Sequence, residues 1–259
     1  RYRKGTIFEN VSLSSDYVCN LGPGRSFEGD GGFKLLTEKI KVFKKEASDD
    51  EKGKIKVLCS IYTYTKMRDL ARIQALSWGY ECDGFLAFST ETIPEMGFVE
   101  ILHKGKEDYF NMWQKVRSIW YYIYRNYGEQ YDYFHLGGDD LYIIVSNMRK
   151  FLNGIHNNNT EHPIFLGSRV FDPDMVAGAP GYTLNREALR RFVEIMEKDC
   201  GQNSRASCED RIISMCFVEK LKIPIGDTRD VETGEQQYHD VGPDSLYTTK
   251  KLNLDQEEK

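Results

Sequence analysis

Ile55-Lys-Val-Leu-Cys-Ser-Ile-Tyr62 is the stretch on which the fold turns. It is a compact apolar run rich in β-branched residues, preceded by the charged run Lys44 to Lys54, and it reads as a buried strand. From about Lys66 to Trp78 the apolar positions Leu70, Ile73 and Leu76–Ser77 return at helical spacing. Gly84-Phe-Leu-Ala-Phe88 is then a second apolar strand. Strand, helix, strand in that order is the start of a parallel α/β sheet.

The same reading extends downstream. Residues 107–127 form the longest helical segment and stop before Gly128. Tyr133-Phe-His-Leu136 is a short apolar run into Gly137-Gly138-Asp139-Asp140, and 141–152 reads as a helix leaving that turn. Ile164-Phe-Leu166 is a further strand, Ala179-Pro180-Gly181 a turn, and Asn185 to Glu197 a helix with Asn185 as its N-cap. Upstream, residues 1–54 are mixed and Gly-rich (Gly22, Gly24, Gly29, Gly31, Gly32) and read as an irregular extension or stem, with 55–259 as the globular domain. The first residue is Arg1, and the expectation is that a targeting segment precedes it.

Composition narrows the function classes. With 259 residues and 40% hydrophobic content, one domain can bury a real core, which excludes a disordered tail. A net charge of -5 disfavours a general nucleic-acid binder, because phosphate neutralisation needs a basic face. No run of 18 apolar residues is present to span a membrane. The 16 tyrosines suit stacking on bases and sugars, and equally suit a core. Six cysteines (Cys19, Cys59, Cys82, Cys200, Cys208, Cys216) permit three disulfides without fixing their connectivity, and no CxxC pair points to zinc. The sequons at Asn10 and Asn158, taken with the cysteines, tilt the chain towards the secretory pathway.

Two acidic pairs carry the chemistry. Asp139 and Asp140 follow an apolar strand, where ligands of parallel sheets gather. Adjacent carboxylates repel and are stabilised by Mg²⁺ or Mn²⁺, which can clamp a diphosphate. The plain structural alternative is an Asx cap on a helix starting at 141. Glu209 and Asp210 form the second pair. A carboxylate there can take a proton from a sugar hydroxyl, or the pair can simply be the acidic first turn of a helix over 211–219.

In combination, the pieces resemble glycosyltransferase family 31, the Fringe and core 1 β-1,3-galactosyltransferase group, from about Ile55 to Tyr247. They stand in the family's order: Leu58-Cys59; Ser77-Trp78 with Cys82; Trp113-Gln-Lys115; Tyr131-Asp-Tyr-Phe; Asp139-Asp140 with Tyr142-Ile-Ile and Asn147-Met-Arg; Gly167 with Arg169; Gly178-Ala-Pro-Gly181-Tyr182 into Arg186-Glu-Ala-Leu189; Cys200, Glu209-Asp210 and Cys216; Gly226-Asp-Thr-Arg229-Asp230; and Tyr238-His239. The resemblance implies a GT-A fold, with a mostly parallel central sheet flanked by helices. It implies a type II Golgi membrane protein with a lumenal domain, for which a homodimer is one assembly, that uses a UDP-sugar (UDP-galactose foremost) and Mn²⁺. The acceptor would be a GalNAc-type glycan on a glycoprotein or glycopeptide, with inversion at the anomeric carbon.

By position, Asp140 matches the direct metal ligand and Asp139 its neighbour in an acidic triplet. Asp210 matches the catalytic base, and Glu209 would be a cap or a partner of an acceptor hydroxyl. Thr63 and Tyr64 lie where the first strand meets the uridine. Lys115 matches a recurrent lysine or is a structural ion pair. Gly178 and Gly181 match a loop beside the donor sugar, and Trp78 reads as core. We also expect Cys59 to pair with Cys82 and Cys200 with Cys216.

The chain departs from the pattern at Gly138, where the family has the first Asp of its triplet. It departs again at Leu136 for Lys, at Ser214 for Gly, and in lacking a C-terminal Phe-His-Tyr segment, so the domain is expected to be truncated there. Those departures keep two alternatives open: another donor or acceptor, and an inactive chaperone or binding homologue.

Overall fold

A computed structural model describes residues 55–156, 162–169 and 175–242. The extension at 1–54, both sequons and Tyr247 lie outside the described residues. The quoted stretch forms β1 (Val57–Tyr62), followed by α1 (Arg68–Leu76), β2 (Gly84–Ser89), β3 (Phe98–Glu100), α2 (Met112–Tyr127), β4 (Tyr133–Gly138), α3 (Val145–His156), β5 (Phe165–Gly167), β6 (Tyr182–Asn185), α4 (Arg186–Met196) and α5 (Glu209–Met215).

The strands make one sheet in the order β3-β2-β1-β4-β6-β5. β1 runs parallel to β2 and β4, and β2 parallel to β3. Only β6 runs against its neighbours, β4 and β5. The result is an α/β fold with a mostly parallel central sheet flanked by helices, consistent with GT-A.

Burial explains why the central strands read as continuous apolar runs. Leu58, Leu86, Phe134 and Leu136 pack on one face of the sheet with Trp113, Val116 and Trp120 of α2. Cys59, Ile61, Phe85 and Tyr133 pack on the other with Ala71 and Ala75 of α1 and Leu152 of α3. Alternate side chains of each strand therefore enter different cores, and neither face is left for water. Trp78 is buried in the second core, as expected.

Besides β3, which has no counterpart in the sequence reading, and shifted helix ends in α2 (from Met112, not 107) and α5 (Glu209–Met215 and a π-turn, not 211–219), two elements differ from it. The helix expected from 141 begins only at Val145. Leu141, Ile143 and Val145 are buried while Tyr142 and Ile144 are exposed, an alternation of period two that no helix can present. Gln74 Nε2 holds this segment by donating to the carbonyls of Asp139 (2.6 Å) and Leu141 (3.0 Å). The second difference is β6, a short strand in what reads as a turn leading into a helix. Its last residue, Asn185, does cap α4: its side chain accepts from Ala188 N at 2.9 Å.

Both expected disulfides form, Cys59–Cys82 between β1 and the entry to β2, and Cys200–Cys216 around the start of α5. Cys208 is disulfide-bonded as well. Among the described residues no helix is long and apolar enough to cross a membrane.

Candidate functional site

The carboxyl ends of β1 and β4 meet at the pair Tyr62 and Gly138. The chain turns away from the sheet on both strands there, at Thr63–Tyr64 and Asp139–Asp140. A cavity of about 790 Å³ opens at this edge. It is also lined by the start of α5, with Cys208, Glu209 and Asp210, and by the turn at Gly178 and Ala179. The fold thus brings together residues 63–64, 115, 139–140, 178 and 209–210.

The first acidic pair is open. Asp140 is exposed and Asp139 half-buried. Thr63 Oγ1 donates to Asp139 Oδ2 at 2.7 Å. Burial raises the Asp139 carboxyl above its ordinary value, Thr63 counteracts, and the charge of Asp140 adds to the rise. Because α3 starts at Val145, neither aspartate caps a helix at 141. A Cβ built on Gly138 would stand 2.7 Å from Asp140 Oδ1 and 3.5 Å from the Tyr62 ring. A side chain at 138 would therefore have to displace the exposed Asp140 carboxylate.

In the second pair one carboxylate is sealed and the other half-buried. Glu209 is 3% exposed; its Oε1 accepts from Tyr62 OH at 3.2 Å and its Oε2 from Tyr182 OH at 2.8 Å. Burial, and then the charge of Asp210, push its carboxyl up to about 8. Both oxygens are engaged by tyrosines, and the residue at the N-cap position of α5 is Cys208 rather than Glu209. Asp210 sits differently. Its Oδ2 accepts from Gly178 N at 2.9 Å and its Oδ1 from Arg211 N at 2.8 Å. Burial raises its carboxyl and the backbone amides counteract.

Gly178 has a reason to be glycine here. A Cβ on it would come within 3.0 Å of Asp210 Oδ2, so the amide could not approach the carboxylate as closely. Ser214, another of the departures, donates to Asp210 O at 2.6 Å and accepts from Val176 N at 3.1 Å, tying α5 to the segment before Gly178. Gly181 does not line the cavity. It has φ 69°, and a Cβ on it would clash with Leu136 O and His135 Nε2, so it is a turn residue behind the site.

Lys115 lines the cavity yet is already occupied. It is buried, donates from Nζ to Thr63 O at 2.5 Å and pairs with Glu107. Burial lowers its pKa and Glu107 partly restores it. The cavity also has a lining that the sequence reading missed: Tyr62, Glu107, Asp108, Tyr109 and Met112. Tyr62 had one legible signal, its place as the last residue of the deciding strand.

The donor set bears on a metal. Among the described residues no group of three or more His, Cys, Asp or Glu side chains can hold an ion alone. Yet five acidic residues (Glu107, Asp108, Asp139, Asp140, Asp210), besides a Glu209 whose carboxyl is pushed up to about 8, share the lining with one lysine that is itself paired. A bare diphosphate would be repelled there. Two hard oxygen donors at an open edge fit a cation whose remaining positions are filled by water and diphosphate oxygens.

A mostly parallel sheet with a large acidic cavity at its carboxyl edge matches the layout expected of a GT-A protein. No family model matches the chain. It is similar to glycoprotein-N-acetylgalactosamine 3-beta-galactosyltransferase 1 of Xenopus laevis, at 30% identity over 211 residues, 78% of this chain and 55% of the relative. The chain thus spans about half the length of that curated relative. Over most of its length the chain is similar to a curated galactosyltransferase, and the order of its motifs agrees with that similarity.

Proposed function

We propose that the chain is the catalytic portion of an inverting, UDP-sugar-dependent β-1,3-glycosyltransferase. It moves galactose from UDP-galactose to the 3-hydroxyl of a GalNAc residue on a glycoprotein. One observation carries the reading: Asp210, held by two backbone amides, lines the same cavity as the open Asp139–Asp140 pair.

In this reading Asp210 accepts the proton of the acceptor hydroxyl, whose oxygen forms the new bond to the anomeric carbon. The bond from that carbon to the diphosphate breaks, and UDP departs with its electron pair. The two amide contacts hold the base in place, which general-base catalysis requires. Thr63 and Tyr64 lie at the uridine end, and Gly178 allows the close approach of chain to base. Asp140, with Asp139 beside it, would hold Mn²⁺, which when bound neutralises charge on the departing diphosphate. Lys115 keeps Thr63 in place and offsets Glu107.

Golgi residence, with the domain in the lumen behind an N-terminal anchor, belongs to the same proposal. The disulfides support an oxidising compartment. The test is a screen of UDP-sugars with and without Mn²⁺, using a GalNAc glycopeptide as acceptor. Transfer with UDP-galactose supports the reading. Transfer with a different sugar revises the donor. UDP binding without turnover in any combination favours the binding homologue.

A further inference from the structure

The cavity carries one feature that the reaction scheme leaves unused. Tyr109 and Phe110 are 69% and 59% exposed, an unusual cost for two large rings placed next to each other on a surface. They stand edge to face, centroids 6.1 Å apart at 77°, and Tyr109 lines the cavity beside Met112.

The backbone that presents them is held firmly. Asp108 Oδ1 accepts from Phe110 N at 2.9 Å and Arg205 donates to Asp108 Oδ2 at 3.1 Å. The buried Asn111 side chain donates to Lys104 O at 2.7 Å and Lys106 O at 3.0 Å. Trp113 N donates to Ala206 O at 3.0 Å and its ring N–H to Gly201 O at 2.7 Å. The turn is thus bonded directly to the segment 201–208, which leads into Glu209 and Asp210.

We propose that Tyr109, backed by Phe110, is the stacking platform for the apolar face of the acceptor pyranose. A sugar ring presents C–H groups on one face and hydroxyls at its rim, so a rigid exposed aromatic ring suits the face while a carboxylate suits the rim. Both the donor hexose and the acceptor hexosamine offer such a face. The acceptor is the occupant because its hydroxyl must reach Asp210, and the platform is anchored to the segment that carries Asp210. The same turn reaches Thr63 only through Lys115, which pairs with Glu107 and donates to Thr63 O, whereas its bonds to 201–206 are direct. The inference rests on the transferase reading and names the acceptor subsite within it.

The experiment compares the wild-type chain with Tyr109→Ala and Tyr109→Trp, using a GalNAc glycopeptide and UDP-galactose with Mn²⁺. The expected result for Tyr109→Ala is an acceptor KM raised about tenfold, the equivalent of one good ring contact, with donor KM unmoved. Tyr109→Trp should restore the acceptor KM, which a merely structural role would not allow. A rise confined to donor KM, or no change in either, overturns the proposal. So does a wild-type dimer that Tyr109→Ala turns into a monomer, since the rings would then be an interface. If the wild type transfers nothing, the transferase reading fails separately. Saturation-transfer NMR of an α-methyl GalNAc glycoside then decides the platform: contact with aromatic protons that disappears in Tyr109→Ala supports it, and its absence in the wild type rejects it.

Discussion

The two acidic pairs are the same chemistry in opposite surroundings. Asp139 and Asp140 hang from the end of a strand, with Asp140 in water and one threonine hydroxyl on Asp139. Glu209 and Asp210 open a short helix, one sealed under two tyrosine hydroxyls and the other clasped by backbone amides. An open pair can rearrange around a cation and a diphosphate. Glu209 is sealed and cannot, while the half-buried Asp210, clasped by amides, can serve as a proton acceptor at a fixed place. Solvent exposure, rather than residue type, divides the labour between them.

The largest effect that should separate the pairs comes from Asp210→Asn. Transfer should fall by roughly 10²–10⁴-fold, the usual worth of a general base. UDP affinity with Mn²⁺ should stay, because the base acts on the acceptor. Initial rates and calorimetry on one preparation measure both. If Asp210→Asn still turns over while Glu209→Gln is dead, the roles of the two residues are exchanged.

Next comes the disulfide that embraces only the second pair. Replacing Cys200 and Cys216 together by Ser should remove about 3 kcal/mol of stability, the chain-entropy value for such a loop. Denaturant titration reads the loss. Turnover should drop with it, while metal-dependent UDP affinity is spared. An equal loss of UDP affinity would mean that the pairs are not independent.

A smaller effect is expected at the open pair. Mn²⁺ should raise UDP affinity by roughly 5–150-fold, the common range for coupled ligands, and Asp140→Ala should abolish that rise. Calorimetry with and without the metal decides, and equal affinities in the wild type would leave the pair without a cation.

The mildest prediction concerns the pH dependence of stability. Burial lifts the Glu209 carboxyl from an ordinary 4.5 to about 8 in the folded chain. A raised folded pKa means that the neutral form favours folding. This contribution is complete below 4.5 and is lost as pH rises through about 8. Glu209→Gln should flatten the decline in Tm across that window, and an unchanged slope would show that Glu209 is already ionised at low pH.

Much of this was legible without coordinates, for stated reasons. β1, β2 and β4 lie at the centre of the sheet and bury both faces, so their apolar runs are continuous and local. The Asp139–Asp140 turn, the Asn185 cap and the family order of the cysteines are likewise short-range or positional signals. The start of α3 was not legible, because Leu141 to Val145 fits either period until one asks which side chains reach the core. β6 was hidden by its brevity and by its antiparallel direction, which only its neighbours impose.

What the residues determined by themselves is the α/β alternation, the acidic turn on a sheet edge and the second acidic pair on a helix start. Those follow from nearest-neighbour sterics, side-chain period and capping, all of which act within one turn or strand. Only the tertiary structure decided which carboxylate would be open and which sealed. The bonds that seal Glu209 come from Tyr62, 147 positions away, and Tyr182, 27 positions away. The amide that positions Asp210 belongs to Gly178, 32 positions away. No local preference encodes such contacts, and they exist only because the sheet brings the ends of β1 and β6 up against α5.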